Sequence, residues 1–125
     1  MSSNHALWLA AAGAAGTLLR AGANALSLRL FGPGFPWGTL AVNLIGSFAF
    51  GAIFALARSR GSLSTAQETV LLVGLLGGFT TYSSFAFQSV EMLEAGRIVP
   101  AVAYVAGTTA AALVAVWAGL RLFSA

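Results

Sequence analysis

Four long apolar segments alternate with short polar ones along the chain, and each is about as long as a helix that crosses a lipid bilayer. A spanning helix needs about 20 mostly apolar residues. The pattern therefore predicts an all-α integral membrane protein with one four-helix transmembrane domain over residues 1–125. The predicted helices cover about residues 6–31, 37–57, 66–93 and 99–123.

The segments between the predicted helices contain residues that end helices or begin them. The first connection, FGPGFPWG (residues 31–38), holds two prolines and three glycines, which favour a tight turn. Thr65 and Glu68 have the spacing of a capping box and predict the start of the third helix. Gly96 is suited to ending the third helix, and Pro100 to the first turn of the fourth.

The third apolar segment contains a weak point in its middle. The stretch GLLGGFTTYSSFAF (residues 74–87) places two glycines beside four hydroxyl residues. Glycine is a poor helix former, and hydroxyl side chains compete for backbone hydrogen bonds. We therefore predict that the third helix breaks near residues 77–81. Such a break is tolerated in a membrane only where protein or a cavity satisfies the free backbone groups.

The composition agrees with a membrane protein and excludes several kinds of chemistry. Of 125 residues, 58% are hydrophobic and only 7% are charged, whereas a soluble domain carries about 25% charged residues. The chain has no cysteine and a single histidine, His5, so thiolate and histidine-cluster metal sites are excluded. The arginines are scattered, which does not favour nucleic-acid binding. The sequence also contains no acid–base pair of the kind that would predict an enzyme.

The positive charges give almost no orientation signal. Four spans place both termini on one side, with Arg58, Arg60 and Arg121, while Arg29 and Arg97 lie on the other side. Because lysine and arginine asymmetry normally sets orientation, one interpretation is dual topology with antiparallel pairing. The other is that short loops simply carry few charges. The short helices and their many small residues also predict an oligomer, with a homodimer as the smallest.

Polar residues inside the predicted helices are candidate functional residues, because such residues are costly in a membrane. None of them is a carboxylate, which argues against a small proton-coupled exporter. Neutral hydrogen-bond donors suit an anion instead. A permanently charged arginine would hold an anion too tightly for conduction, so we interpret Arg20 as a vestibule or structural charge. The other candidates are Asn43, the hydroxyl residues of the third helix, and Tyr104 with Thr108 and Thr109.

Each candidate has a functional and a structural interpretation. Asn43 shares a helix face with Thr39 and Ser47; its amide can bind a pore occupant or make a hydrogen bond between helices. Tyr82 and Phe85 are three residues apart and can present positive ring edges to an anion, or pack in a core. Tyr104 and Thr108 also share a face, for which packing is the simpler explanation.

The predicted break also offers backbone oxygens. Carbonyl groups freed at a broken helix can coordinate a cation, and Gly77 and Thr80 flank the expected turn. In an antiparallel dimer, the two breaks would meet at the twofold axis. Four carbonyls could then hold one monovalent cation.

These stretches together resemble the fluoride channel family (Fluc, also called CrcB). The resemblance rests on GTLAVNLIGSFAFG (residues 38–51), GLLGGFTTYSSF (residues 74–85) and GAAGTLLR, which ends at Arg20. It implies a passive channel of the bacterial inner membrane that exports fluoride and reduces its toxicity. It further implies an antiparallel homodimer with two pores and a central structural sodium ion held by the Gly77 and Thr80 carbonyls.

The resemblance also assigns pore roles. It implies that fluoride passes Asn43, the aromatic pair Tyr82 and Phe85, and the Ser83 hydroxyl between them. The Tyr104 and Thr108 face corresponds to the family's polar track, and we add Thr39 because it shares the Asn43 face.

The chain departs from the family pattern at two positions. It reads TTYSSF where the family usually reads TTFSTF. Ser84 keeps a hydroxyl, whereas Tyr82 adds one to a ring that is normally phenylalanine. This second change puts normal conduction in question, and two alternatives remain: a proton-coupled exporter and a membrane scaffold protein without transport.

Overall fold

The computed structural model describes residues 1–124, and every regular element within that range is helical. Four segments are long and apolar enough to cross a membrane, namely Ser3–Phe31, Trp37–Arg60, Thr65–Glu94 and Ile98–Phe123. The prediction of a four-helix, multi-pass membrane protein is confirmed. Three of the eight helix ends coincide with the predicted ones, and the other five lie one to three residues beyond them, mostly at polar residues that carry no hydropathy signal.

The first two spans are the continuous helices α1 (Ser3–Phe31) and α2 (Trp37–Arg60), whereas the third is composite. Its first half begins as α3 (Thr65–Thr69), continues as a π-helix (Val70–Leu76) and ends as α4 (Gly77–Phe79). After two extended residues, α5 (Tyr82–Glu94) completes the span. The fourth span is the continuous helix α6 (Ile98–Phe123). The predicted break is confirmed and narrowed to Thr80 and Thr81.

The capping interactions correct one prediction. Ser64 is the N-cap of α3, and Gln67 completes its capping box with bonds of 3.2 Å from its backbone N–H and 2.9 Å to its side chain. The Thr65–Glu68 pairing predicted from the sequence is wrong by one residue. The Glu68 side chain instead pairs with Arg58 at 2.9 Å. At the other end of the span, Gly96 adopts a φ of +75° and ends α5, as predicted.

Glycines set the distances between the helices that surround the break. A Cβ atom at Gly16 of α1 would stand 2.8 Å from the Phe79 nitrogen, and one at Gly78 would stand 2.5 Å from the Gly13 oxygen. Only glycine fits such backbone approaches. The same holds between α2 and α6, where a Cβ atom at Gly119 would stand 2.7 Å from the Ala52 nitrogen. The break is therefore held against α1 by backbone contact.

Candidate functional site

The break in the third span is held open by the side chain of Asn43 on α2. Asn43 Nδ2 donates to the Thr81 carbonyl at 2.9 Å, and Thr81 N–H donates to Asn43 Oδ1 at 2.8 Å. Thr81 has extended dihedral angles (φ −151°, ψ 120°), so the amide pairs with it as a neighbouring strand would. Asn43 therefore makes the hydrogen bonds between helices that its structural interpretation predicts. One amide N–H of Asn43 remains for a further acceptor.

Hydroxyl side chains satisfy other backbone groups at the break. Thr81 Oγ1 accepts a hydrogen bond from Ser84 N–H at 3.2 Å and so caps α5. Thr80 Oγ1 donates to the Leu76 carbonyl at 2.8 Å, one turn earlier. The Thr81 bond replaces a helical bond of Ser84 N–H, whereas the Thr80 bond adds to the helical bond that Thr80 N–H donates to the same carbonyl at 2.9 Å. Two of the four hydroxyl side chains in this stretch therefore bind backbone groups at the break.

The break leaves the four carbonyl groups of residues 77–80 without their helical donors, and the side-chain bonds just described account for two of them. In an uninterrupted α-helix, Thr81 N–H would donate to the Gly77 carbonyl and Ser84 N–H to the Thr80 carbonyl. Both N–H groups are instead bound by side chains, Asn43 Oδ1 and Thr81 Oγ1. Neutral oxygens of this kind suit a hard monovalent cation. The two carbonyls are those of Gly77 and Thr80, the pair that the sequence analysis selected for a cation.

A groove of about 460 Å³ runs beside the break. Asn43, Phe85 and Thr108 line it, together with Gly77 and Thr80. Thr108 Oγ1 is buried and has no hydrogen-bond partner among residues 1–124. An unsatisfied buried hydroxyl is costly, so Thr108 is available to an occupant of the groove. The structure brings together a spare amide donor and a spare hydroxyl on neighbouring helices.

The two aromatic residues after the break differ in their surroundings. Phe85 is buried in the core cluster with Tyr104, and the two ring centroids are 5.0 Å apart in an edge-on arrangement. Tyr82 also lines the groove but is 81% exposed, with its centroid 5.8 Å from that of Phe85. Phe85 therefore serves core packing and lines the groove at once, and the Tyr82 ring is open to whatever adjoins the chain.

A chain of side-chain hydrogen bonds connects α2, α5 and α6. Tyr104 Oη donates to Gln88 Oε1 at 2.9 Å, and Gln88 Nε2 donates to Thr39 Oγ1 at 2.9 Å. Thr39 and Gln88 line a second cavity of about 320 Å³. Thr39 and Tyr104 were predicted from the sequence, whereas Gln88 was not. The signal available was its spacing, because Gln88 lies three residues after Phe85 and shares its helix face.

Four predicted site residues do not line the groove: Thr39 and Tyr104, which belong to the hydrogen-bond chain with Gln88, and also Ser83 and Arg20. Ser83 is exposed and does not line it, although both of its predicted aromatic neighbours do. Arg20 is half-buried on α1 and lines neither of the two cavities described. Within residues 1–124, Arg20 makes no salt bridge. The groove itself is therefore lined without a charged side chain.

Comparison with known proteins identifies the family. The family model described as CrcB-like protein, Camphor Resistance (CrcB), matches residues 7–120. A protein named fluoride-specific ion channel FluC from Rhizobium etli is 40% identical over 121 residues, which are 97% of each chain. A protein of the same name from Agrobacterium fabrum is 41% identical over 91% of each chain. One from Chloroflexus aurantiacus is 37% identical over 95% of this chain and 94% of its own. The chain belongs to the CrcB family, the fluoride channel family that its second- and third-helix motifs resemble.

Proposed function

We propose that the protein is a passive fluoride-selective ion channel of the bacterial inner membrane, which exports fluoride and so reduces its toxicity. The observation that carries this proposal is the identity of about 40%, over nearly the whole of both chains, with proteins named fluoride-specific ion channels. Hydrogen fluoride would enter an acidified cell and dissociate, and the anion would leave through the channel. Neither an energy source nor a catalytic group is needed for this task.

The groove supplies donors that suit a small, strongly hydrated anion. The spare N–H of Asn43 and the unpartnered Thr108 hydroxyl can replace part of the water shell of fluoride. The ring edges of Tyr82 and Phe85 add partial positive charge. None of these groups carries a full charge, and conduction needs sites that the ion can leave. The Ser83 hydroxyl, and Thr39 and Tyr104 in the hydrogen-bond chain with Gln88, are proposed to extend this pathway beyond the groove.

The channel is proposed to act as an antiparallel homodimer with two pores. The small arginine bias supports insertion in both orientations. The exposure of Tyr82 supports a neighbour at the groove, because such a neighbour would cover a large aromatic ring beside the proposed pathway. A second copy of the chain would provide that neighbour.

The resident cation is proposed to be sodium, bound where two breaks meet at the dimer centre. The Gly77 and Thr80 carbonyls fit this role, since both have lost their helical donors and both line the groove. When bound, sodium would supply a fixed positive charge that favours assembly and attracts anions. The residues of this chain would hold the two carbonyls in place, and no charged side chain lines the groove beside them.

Fluoride efflux from proteoliposomes tests the proposed function. The purified protein is placed in liposomes loaded with fluoride, and efflux is followed with a fluoride electrode. Chloride-loaded liposomes are the matched control. We expect rapid fluoride efflux and no chloride efflux. Fluoride efflux that appears only after Tyr82→Phe would identify the Tyr82 hydroxyl as a block. Silence of both proteins would contradict the channel and favour a scaffold.

Arg20 is proposed as a vestibule charge that raises the local concentration of fluoride. The Debye length falls from about 30 Å at 0.01 M salt to about 10 Å at 0.1 M. Arg20→Gln is therefore expected to lower fluoride efflux at low ionic strength and to have little effect at high ionic strength. The measurement is initial efflux at constant fluoride with increasing potassium sulfate. An equal loss at all salt concentrations would assign Arg20 a structural role instead.

A further inference from the structure

Thr81 occupies an unusual position, because all of its polar groups are used to hold the break. Its N–H and carbonyl bind Asn43, and its hydroxyl oxygen accepts from Ser84 N–H. Its side chain is buried. Thr81 was predicted only as one of the hydroxyl residues of the third helix, and no step of the proposed fluoride pathway uses it. Its bonds nevertheless control the two carbonyls proposed to bind the cation.

We infer that Thr81, together with Asn43, is a positioning residue that sets the cation affinity of the break. Each of the two side chains removes one N–H group from one cation-binding carbonyl: Asn43 Oδ1 protects the Gly77 carbonyl, and Thr81 Oγ1 protects the Thr80 carbonyl. This inference rests on the proposed sodium site. It couples the fluoride groove to that site, because Asn43 contributes to both.

Backbone geometry supports the coupling. Thr80 has a ψ of 161°, whereas a helical residue has a ψ of about −42°. The peptide plane after Thr80 is therefore turned by roughly 160° from its helical orientation, and its carbonyl leaves the helix axis. Without an acceptor at Thr81, the half-buried Ser84 N–H would be left unsatisfied, which favours its return to the Thr80 carbonyl. That return would take the carbonyl away from the cation.

The experiment compares Thr81→Val, which removes the hydroxyl acceptor and keeps the shape, with Thr81→Ser, which keeps the acceptor. Thermal unfolding of each purified full-length protein is measured while sodium replaces choline at constant ionic strength. A cation that binds only the folded protein raises the unfolding temperature. We expect Thr81→Ser to reach a given rise in unfolding temperature at the same sodium concentration as the unsubstituted protein. We expect Thr81→Val to need at least about tenfold more sodium for that rise, since one carbonyl ligand is lost.

The outcomes separate this inference from the proposal on which it rests. An unfolding temperature of the original chain that does not depend on sodium would overturn both the sodium site and the inference. Sodium dependence that is unchanged in Thr81→Val would overturn the inference alone. If Thr81→Val does not give folded protein, Thr81→Ala removes the acceptor without added bulk, and the same weakening of sodium dependence is expected. Its absence in Thr81→Ala would likewise overturn the inference.

Discussion

Replacement of Asn43 by alanine is expected to abolish fluoride efflux and to lower the free energy of unfolding by about 2–4 kcal/mol. The substitution removes both hydrogen bonds to Thr81. A buried donor left without a partner costs about 1–3 kcal/mol, which applies to the Thr81 N–H. The Thr81 carbonyl, as the N-cap carbonyl of α5, still accepts from the first turn, so loss of its bond to Asn43 adds about 0.5–1.5 kcal/mol. The Thr81 N–H can regain a partner only if the helix closes toward Gly77. Closure would also remove the extended residues that border the groove.

The measurements are fluoride efflux from liposomes and unfolding in a mixed-detergent titration. Ser47→Ala is the matched control for stability, because Ser47 lies one turn along the same face and its hydroxyl bonds nothing within residues 1–124. We expect its stability to change by less than about 0.5 kcal/mol. If Asn43→Ala keeps both its stability and its efflux, the assignment of Asn43 to the break and to the pathway is wrong.

The break could be predicted from the sequence because local chemistry fixes it. Two glycines and a run of hydroxyl residues weaken the helix over one short stretch, and the surrounding apolar residues still place that stretch in the membrane. The four spans follow from the same kind of local information. Such features do not depend on which helix lies next to which. The one-residue error at Ser64 shows the limit, since two overlapping capping patterns compete there.

The role of Asn43 could not be decided from the sequence, because its partner is distant along the chain. Thr81 follows Asn43 by 38 residues, and only the packing of α2 against the break joins them. The same reason applies to Gln88, whose partners Thr39 and Tyr104 lie on two other helices. A single polar residue in a span indicates that it has a hydrogen-bond partner, but it does not indicate which residue that partner is.

The π-helix at Val70–Leu76 was not predicted, and its residues give no local sign of it. Gly74 lies inside it and contacts α1, where a Cβ atom would stand 3.0 Å from the Ala12 side chain. Packing against α1 therefore holds the irregular turn in place. π-helical turns are uncommon and occur frequently at functional sites. Here the π-helix leads directly into Gly77 and so into the break.

Contact between α1 and the third span gives the second large expected effect, which Gly16→Val tests. A valine at this position would collide with the Leu75 carbonyl and with the Phe79 nitrogen. Both are backbone atoms, which cannot move aside as the end of a flexible side chain could. Overpacking usually costs about 1–3 kcal/mol and occasionally more. We expect a loss of about 3 kcal/mol or more, with displacement of α4 and loss of fluoride efflux.

Gly22→Val is the matched control for Gly16→Val, because it makes the same change on the same helix where nothing lies within 4 Å of the added Cβ atom. Both variants replace a helical glycine by a β-branched residue, so their helix propensities change alike. A difference in stability between the two then measures the contact with the third span. Equal stability of the two variants would mean that α1 does not hold the break in place, and that α2 and the Asn43 side chain alone keep it open.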